Sequence, residues 1–266
     1  MLRSVWLKML HDQWRMLAVW TVLAGLLAGF YLSLYPSIGA VEEMRSLLEA
    51  MPPELRAMFS AESADLSTPA GYLNIELFTF VMPLVVMAIT LTGGAGATAG
   101  EEERGTLELL LANPVRRWRV VVEKAVGTAI LSAILCAGIW VALAVTAQLS
   151  DIDIALERVT AALASVWLLG CAIGGVALLV GALTGSRIAA IGVGLAVAIA
   201  GFFVSALAPL SDVLEPWRPF SPHYHYIGYD PLTNGLDPAH AGVLAALSVV
   251  LVVAAAIAFE RRDLRA

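Results

Sequence analysis

Residues 159–208 read VTAALASVWLLGCAIGGVALLVGALTGSRIAAIGVGLAVAIAGFFVSALA, and Arg187 is the only charged side chain in the run. A helix crossing the ~30 Å hydrocarbon core of a bilayer needs about 20 apolar residues. The run is long enough for two such helices, and Gly185-Ser186-Arg187 supplies a tight turn between them. Working outward, further apolar runs lie at about 16–36, 72–98, 120–148 and 241–259, giving six spans with those at 159–184 and 188–208. The whole chain is 59% hydrophobic and 14% charged, against roughly 25% charged in a soluble domain. The sequence therefore predicts an all-α membrane protein, residues 1–266 forming a single transmembrane domain.

The polar segments set the orientation. With six spans both termini share a side, and that side holds twelve of the 16 Lys and Arg residues, against four (Arg45, Arg56, Arg158, Arg218) on the other. Short cytoplasmic loops carry the excess of basic residues, so both termini and the segment 100–119 are expected to be cytoplasmic. Before the first span, Trp6, Leu7, Met9, Leu10 and Trp14 alternate with Arg3, Lys8, His11, Asp12 and Arg15. That pattern predicts an amphipathic helix in the headgroup region, and it is too long and amphipathic for a signal-peptide start. Met44–Met58 has helix-like spacing around Pro52 and Pro53, and Pro83 is expected to kink the second span. Small residues four apart (Gly25/Gly29, Gly96/Gly100, Gly170/Gly174, Gly181/Gly185) allow close helix approach in lipid. Cys136 and Cys171 fall inside apolar runs and read as small hydrophobes.

The most informative polar segment is 100–119, GEEERGTLELLLANPVRRWR. Gly105 interrupts the second span's helix; Thr106 can cap a new short one, with Glu108 in its first turn. Leu107, Leu110 and Leu111 make one apolar face, and Asn113-Pro114 ends it. A headgroup helix is usually basic on its polar face, whereas this one is flanked by Glu101, Glu102 and Glu103. It is thus expected to offer a leucine ridge and acidic ends to a soluble partner.

Here the chain resembles the permease subunits of ABC-2 type transporters. The resemblance rests on Glu101-Glu102-Glu103-Arg104-Gly105-Thr106-Leu107-Glu108 followed by Leu110-Leu111-Ala112-Asn113-Pro114-Val115. Looser agreement comes from an elbow-like helix over Arg3–Arg15, the outer Met51-Pro52-Pro53-Glu54-Leu55, Ser221-Pro222-His223-Tyr224, Asp230-Pro231-Leu232, and the tail Phe259–Leu264. His223 and His225 depart from the aromatics that relatives place there. The resemblance implies a coupling helix that docks into an ATPase, re-entrant helices in the loop 209–240, and a bacterial or archaeal cytoplasmic membrane. It implies two copies of an ATPase subunit and a second permease subunit, in a homodimer. The chain has no glycine-rich phosphate loop with Lys and Ser or Thr, so ATP and Mg would bind in the partner and no cofactor in this chain. Charge reversal at Glu101 and Glu102 is then expected to uncouple hydrolysis from transport without unfolding the spans.

Other residues suggest weaker sites. Glu76, with Asn74, lies early in the second span, and ionisable groups in spans are functional candidates. Tyr224 and Tyr226 are candidates for the translocation path at the outer end. The remaining spans read as free of charge, which favours an amphiphilic or hydrophobic substrate over a small ion. His223, His225 and His240 have no diagnostic metal spacing, and no metal site is expected. A secondary transporter or channel without an ATPase is the alternative class. An intramembrane protease would need arginine at 106 or 107, where Thr106 and Leu107 stand.

Overall fold

The computed structural model describes residues 5–35, 68–103, 105 and 116–262, with isolated positions between 46 and 58. Among these every element is helical. Helix α1 is Val5–Leu34. A bent pair follows, α2 Pro69–Leu73 running into a π-helical turn Asn74–Phe78, then α3 Val81–Ala97. Short α4 is Ala99–Glu103, and α5 is Arg117–Leu149. Helices α6 (Leu156–Thr184) and α7 (Arg187–Leu207) form an antiparallel pair. Short α8 (Pro222–Ile227) and α9 (Pro231–Asn234) precede α10, Pro238–Arg261. Five helices are long and apolar enough to cross a membrane, or six with the bent pair as one span. We call the side where α1 begins and α10 ends the terminal side, and the opposite one the far side.

Apolar helices lie at the positions of the expected spans, the second as the bent pair, and two details differ. No separate elbow helix precedes the first span in the described residues: α1 is unbroken across Arg15 and Met16. Its first half has neither proline nor glycine and is built from good helix formers. The bend in the second span is 42°, and it falls at Thr79-Phe80, not at Pro83 itself. Pro83 sits in the first turn of α3, where a missing N–H is harmless, and its ring crowds the carbonyl four residues back, that of Thr79. The Thr79 N–H and hydroxyl both donate to the Asn74 carbonyl, at 2.9 and 2.8 Å. The amphipathic stretch Met44–Met58 lies largely outside the described residues.

Four far-side helices start in a common way, whereas α6 begins after Ala155 with no side-chain cap. Thr68-Pro69, Ser221-Pro222, Asp230-Pro231 and Asp237-Pro238 each place a side-chain oxygen at the N-cap and proline at the first helical position. The oxygen accepts a first-turn N–H that the helix leaves over, and proline has none to satisfy. The Ser-Pro and Asp-Pro dipeptides of the loop are therefore helix starts.

Helix α6 is the central pillar: 61% of its most apolar window is buried, against 22% in α7 and α10. It packs on α3, α10 and α7, while α1 lies along α5. Small residues set the closest approaches. A Cβ on Gly94 would sit 2.2 Å from the Gly174 carbonyl oxygen, and one on Gly174 2.8 Å from that of Thr90. Gly25 and Gly29 meet Ala142 and Thr146 of α5 in the same way. Gly96, by contrast, faces open space, so the expected Gly96/Gly100 pair makes no such crossing at Gly96. Overpacking of this kind costs about 1–3 kcal/mol or more. Gly94→Ala is accordingly expected to lower the melting temperature of the detergent-purified protein by several degrees, and Gly96→Ala to leave it unchanged or raise it. Equal melting temperatures would contradict the α3–α6 contact.

Candidate functional site

The segment singled out in the sequence begins where α3 ends. Helix α3 closes at Ala97, Thr98 leaves helical geometry, and α4 restarts with the N–H groups of Glu101 and Glu102 donating to the Thr98 carbonyl at 3.1 Å each. Gly105 adopts φ +66°, its N–H reaching the Glu102 carbonyl at 3.0 Å. The second span's helix is thus interrupted at Thr98, ahead of the Gly105 expected to break it, and Gly105 follows the end of α4. Arg104, Thr106, Leu107, Glu108, Leu110 and Leu111 lie outside the described residues.

The three glutamates reach three different elements. Glu101 pairs with Lys124 of α5 at 2.5 Å, the two side chains 17% and 8% exposed. Glu102 pairs with Arg262, just past α10. Glu103 accepts the backbone N–H of Arg187 at 2.9 Å, so a carboxylate sits at the N-terminus of α7, where the helix dipole favours it. Arg262 also donates to the Gly181 and Ala182 carbonyls at 3.3 and 3.0 Å, satisfying the C-terminal end of α6. Its own carbonyl accepts from Arg117 of α5 at 3.2 Å. Gly185 turns α6 into α7 at φ +68°, and a Cβ there would meet the Arg262 guanidinium at 2.5 Å and the Glu102 carboxylate at 2.9 Å. The terminal ends of α5, α6, α7 and α10 are all tied to one short acidic turn.

This geometry bears on two expectations. The carboxylates of Glu101 and Glu102 turn back into the bundle, so charge reversal there is expected to disturb helix packing as well as any partner contact. The spans are also not free of charge, since Lys124 is buried at 6% exposure within α5. A lone lysine inside the expected span 120–148 carries a signal in sequence, because intramembrane cations need partners. Which acid it meets is not legible there, nor is the role of Arg262.

The far-side candidates separate into two groups. Tyr226 is buried, and its hydroxyl donates to the Phe78 carbonyl at 2.6 Å, a backbone group at the break in the second span. Asn74 is buried in the π turn, its Nδ2 without a hydrogen-bond partner among the described residues. Glu76 is half-buried on the same turn. Tyr224 lies under the Arg218 guanidinium, 4.9 Å from the ring centre, and beside His225 and His240. His225 and His240 meet Nδ1 to Nδ1 at 3.2 Å, and His225 Nε2 lies 2.7 Å from the Pro219 carbonyl. A carbonyl only accepts, so His225 carries a proton on Nε2, and a single proton serves the Nδ1 to Nδ1 contact with His240. No group of three His, Cys, Asp or Glu is placed to hold a metal among the described residues. His223 stands apart, buried against Phe202 and Tyr226.

A sequence model described as ABC-2 family transporter protein matches residues 4–264. The chain belongs to the ABC-2 transporter family. No curated protein matches it. Membership makes it a membrane permease of the ABC transporter class, generally a non-catalytic membrane subunit. The ties to Lys124, Arg187 and Arg262 originate in this chain's acidic run Glu101–Glu103.

Two predictions follow from these contacts. Breaking a buried pair by removing one partner costs about 3–5 kcal/mol. Glu101→Gln and Lys124→Gln are each expected to destabilise the purified protein by about 3 kcal/mol, with the double variant recovering part of the loss. Strict additivity in that double-mutant cycle would remove the pair. The second concerns His223, whose burial pushes its pKa from 6.5 down to about 4. The neutral ring is native, so stability is full above about 6.5, falls as pH drops and levels off below about 4. The slope is up to about 1.4 kcal/mol per pH unit. His223→Phe is expected to flatten that slope in melting curves between pH 7.5 and 5.

Proposed function

We propose that this ABC-2 permease is the membrane half of an ATP-driven exporter of amphiphilic or hydrophobic substrates, moved by alternating access. A separate ATPase subunit, in two copies, would bind ATP and Mg and dock on segment 101–114 from the cytoplasm. A second permease copy would complete a homodimer, with both termini cytoplasmic in the inner membrane of a bacterial or archaeal cell. The observation that carries the reading is the three-carboxylate turn at the head of that segment. A push on the segment reaches α5 through Lys124, α7 through Arg187, and α6 and α10 through Arg262. Charges held in a low-dielectric layer resist separation, so the tied helix ends are expected to move as one body. The basic excess on this side supports the orientation, and the absence of a phosphate loop supports an external motor.

The test uses the full chain co-expressed with the ATPase from its own gene neighbourhood. Leu107→Asp with Leu110→Asp is expected to abolish co-purification while leaving the melting temperature of the permease unchanged. Co-purification at wild-type level would rule out docking on this ridge. In liposomes, candidate amphiphiles are expected to stimulate ATP hydrolysis by the assembled complex and not by the ATPase alone.

A further inference from the structure

A groove of about 460 Å³ opens on the bundle's side between α5 and α10, with α6 and Gly94 of α3 as its floor. Its rims are exposed: Val126 is 45%, Val249 63% and Val253 50% accessible. The polar groups lining it are all turned to backbone. Thr90 donates to Val86, Thr128 to Lys124, Ser248 to Leu244 and the Trp167 indole N–H to Ala129. Besides the weak Cys171 thiol the groove therefore offers no spare hydrogen-bond donor, and a polar ligand placed there would lose its water with little replacement.

Length and charge narrow the occupant. Along α6 the groove runs from Leu178 to Trp167, which at 1.5 Å per residue is about 16 Å. That is about half of the ~30 Å hydrocarbon core; its α10 lining ends at Val253, about 12 Å short of Arg261, so a chain held from Arg261 must be extended to reach Trp167. Trp167 bridges α6 to α5 and closes the far end. A neighbouring helix would cross the whole core and find only half its length received, whereas an acyl chain spans one leaflet. On the terminal side the exposed line Val249, Val253, Ile257 continues at four-residue spacing to Arg261, itself exposed, with Trp118 of α5 exposed at the same level. A cation and an indole at headgroup depth suit a phosphate and the interface beneath it.

We propose that this groove holds one acyl chain of an anionic phospholipid from the terminal-side leaflet, its phosphate on Arg261. The site stands whatever substrate the transporter moves. It is tested with the full-length protein in phosphatidylcholine vesicles containing phosphatidylglycerol brominated on its acyl chains. Fluorescence of Trp167 is taken as the difference between wild type and Trp167→Phe. Quenching is expected to saturate at a several-fold lower mole fraction than with brominated phosphatidylcholine, and unbrominated phosphatidylglycerol is expected to reverse it. Cys171→Phe and Ala245→Phe, which fill the groove, are expected to abolish the saturable part, and Arg261→Gln to remove the anionic preference alone. Competition in the wild-type protein needs neither filling variant, so the proposal stays testable if those fail to fold. Quenching that rises without saturation and ignores competitor means ordinary contact with bulk lipid and overturns the proposal. An unquenched Trp167 overturns it too, since a second copy or other protein then covers the groove.

Discussion

The backbones of α3 and α6 meet at Gly94 and Gly174 without side chains between them. In lipid no hydrophobic force draws one apolar helix to another, so small residues that admit dispersion contact decide which pairs form. This crossing sets α6 as the pillar on which α3, α7 and α10 pack. It also positions the end of α3, and with it the acidic turn of α4. Everything proposed for the terminal side depends on that placement, because three carboxylates must arrive within reach of three separate donors.

The terminal side is then held by charge. Lys124 and Arg262 are partly sequestered, and each has an acid in contact. Such pairs contribute little net stability relative to apolar packing, but losing one member strands the other. The arrangement therefore specifies geometry more than it strengthens the fold. Arg262 shows the economy of the design: one guanidinium engages Glu102 and the last carbonyls of α6, while its backbone carbonyl takes Arg117. Gly185 is needed twice there, for its left-handed φ and for the space the ion pair occupies.

The far side is held by hydrogen bonds to backbone. The 42° bend in the second span breaks the regular helical ladder where lipid cannot supply a partner. Tyr226 donates to the Phe78 carbonyl at the break, and Ser221 donates to the Gly201 carbonyl of α7 at 2.6 Å. Short helix α8 is thereby fastened to two spans. Tyr226, read from sequence as a translocation-path candidate, is this strut, which composition could not distinguish from a surface tyrosine such as Tyr229.

The apolar runs by themselves determined a multi-span helical membrane protein, since run length against bilayer thickness leaves few alternatives. The run Glu101–Val115 carried the resemblance to the family that residues 4–264 match; the cap-proline helix starts were not read from the sequence, although they are just as local. These are local properties, written in consecutive residues. The tertiary structure alone decided that Glu101, Glu102 and Glu103 serve three different elements, that the second span bends at Thr79-Phe80, and that Tyr226 closes that bend. Each depends on groups up to 160 residues apart meeting in a medium where unmet charge and unmet backbone are costly. Sequence shows which groups need a partner, and only the packing of α3 on α6 determines which partner they reach.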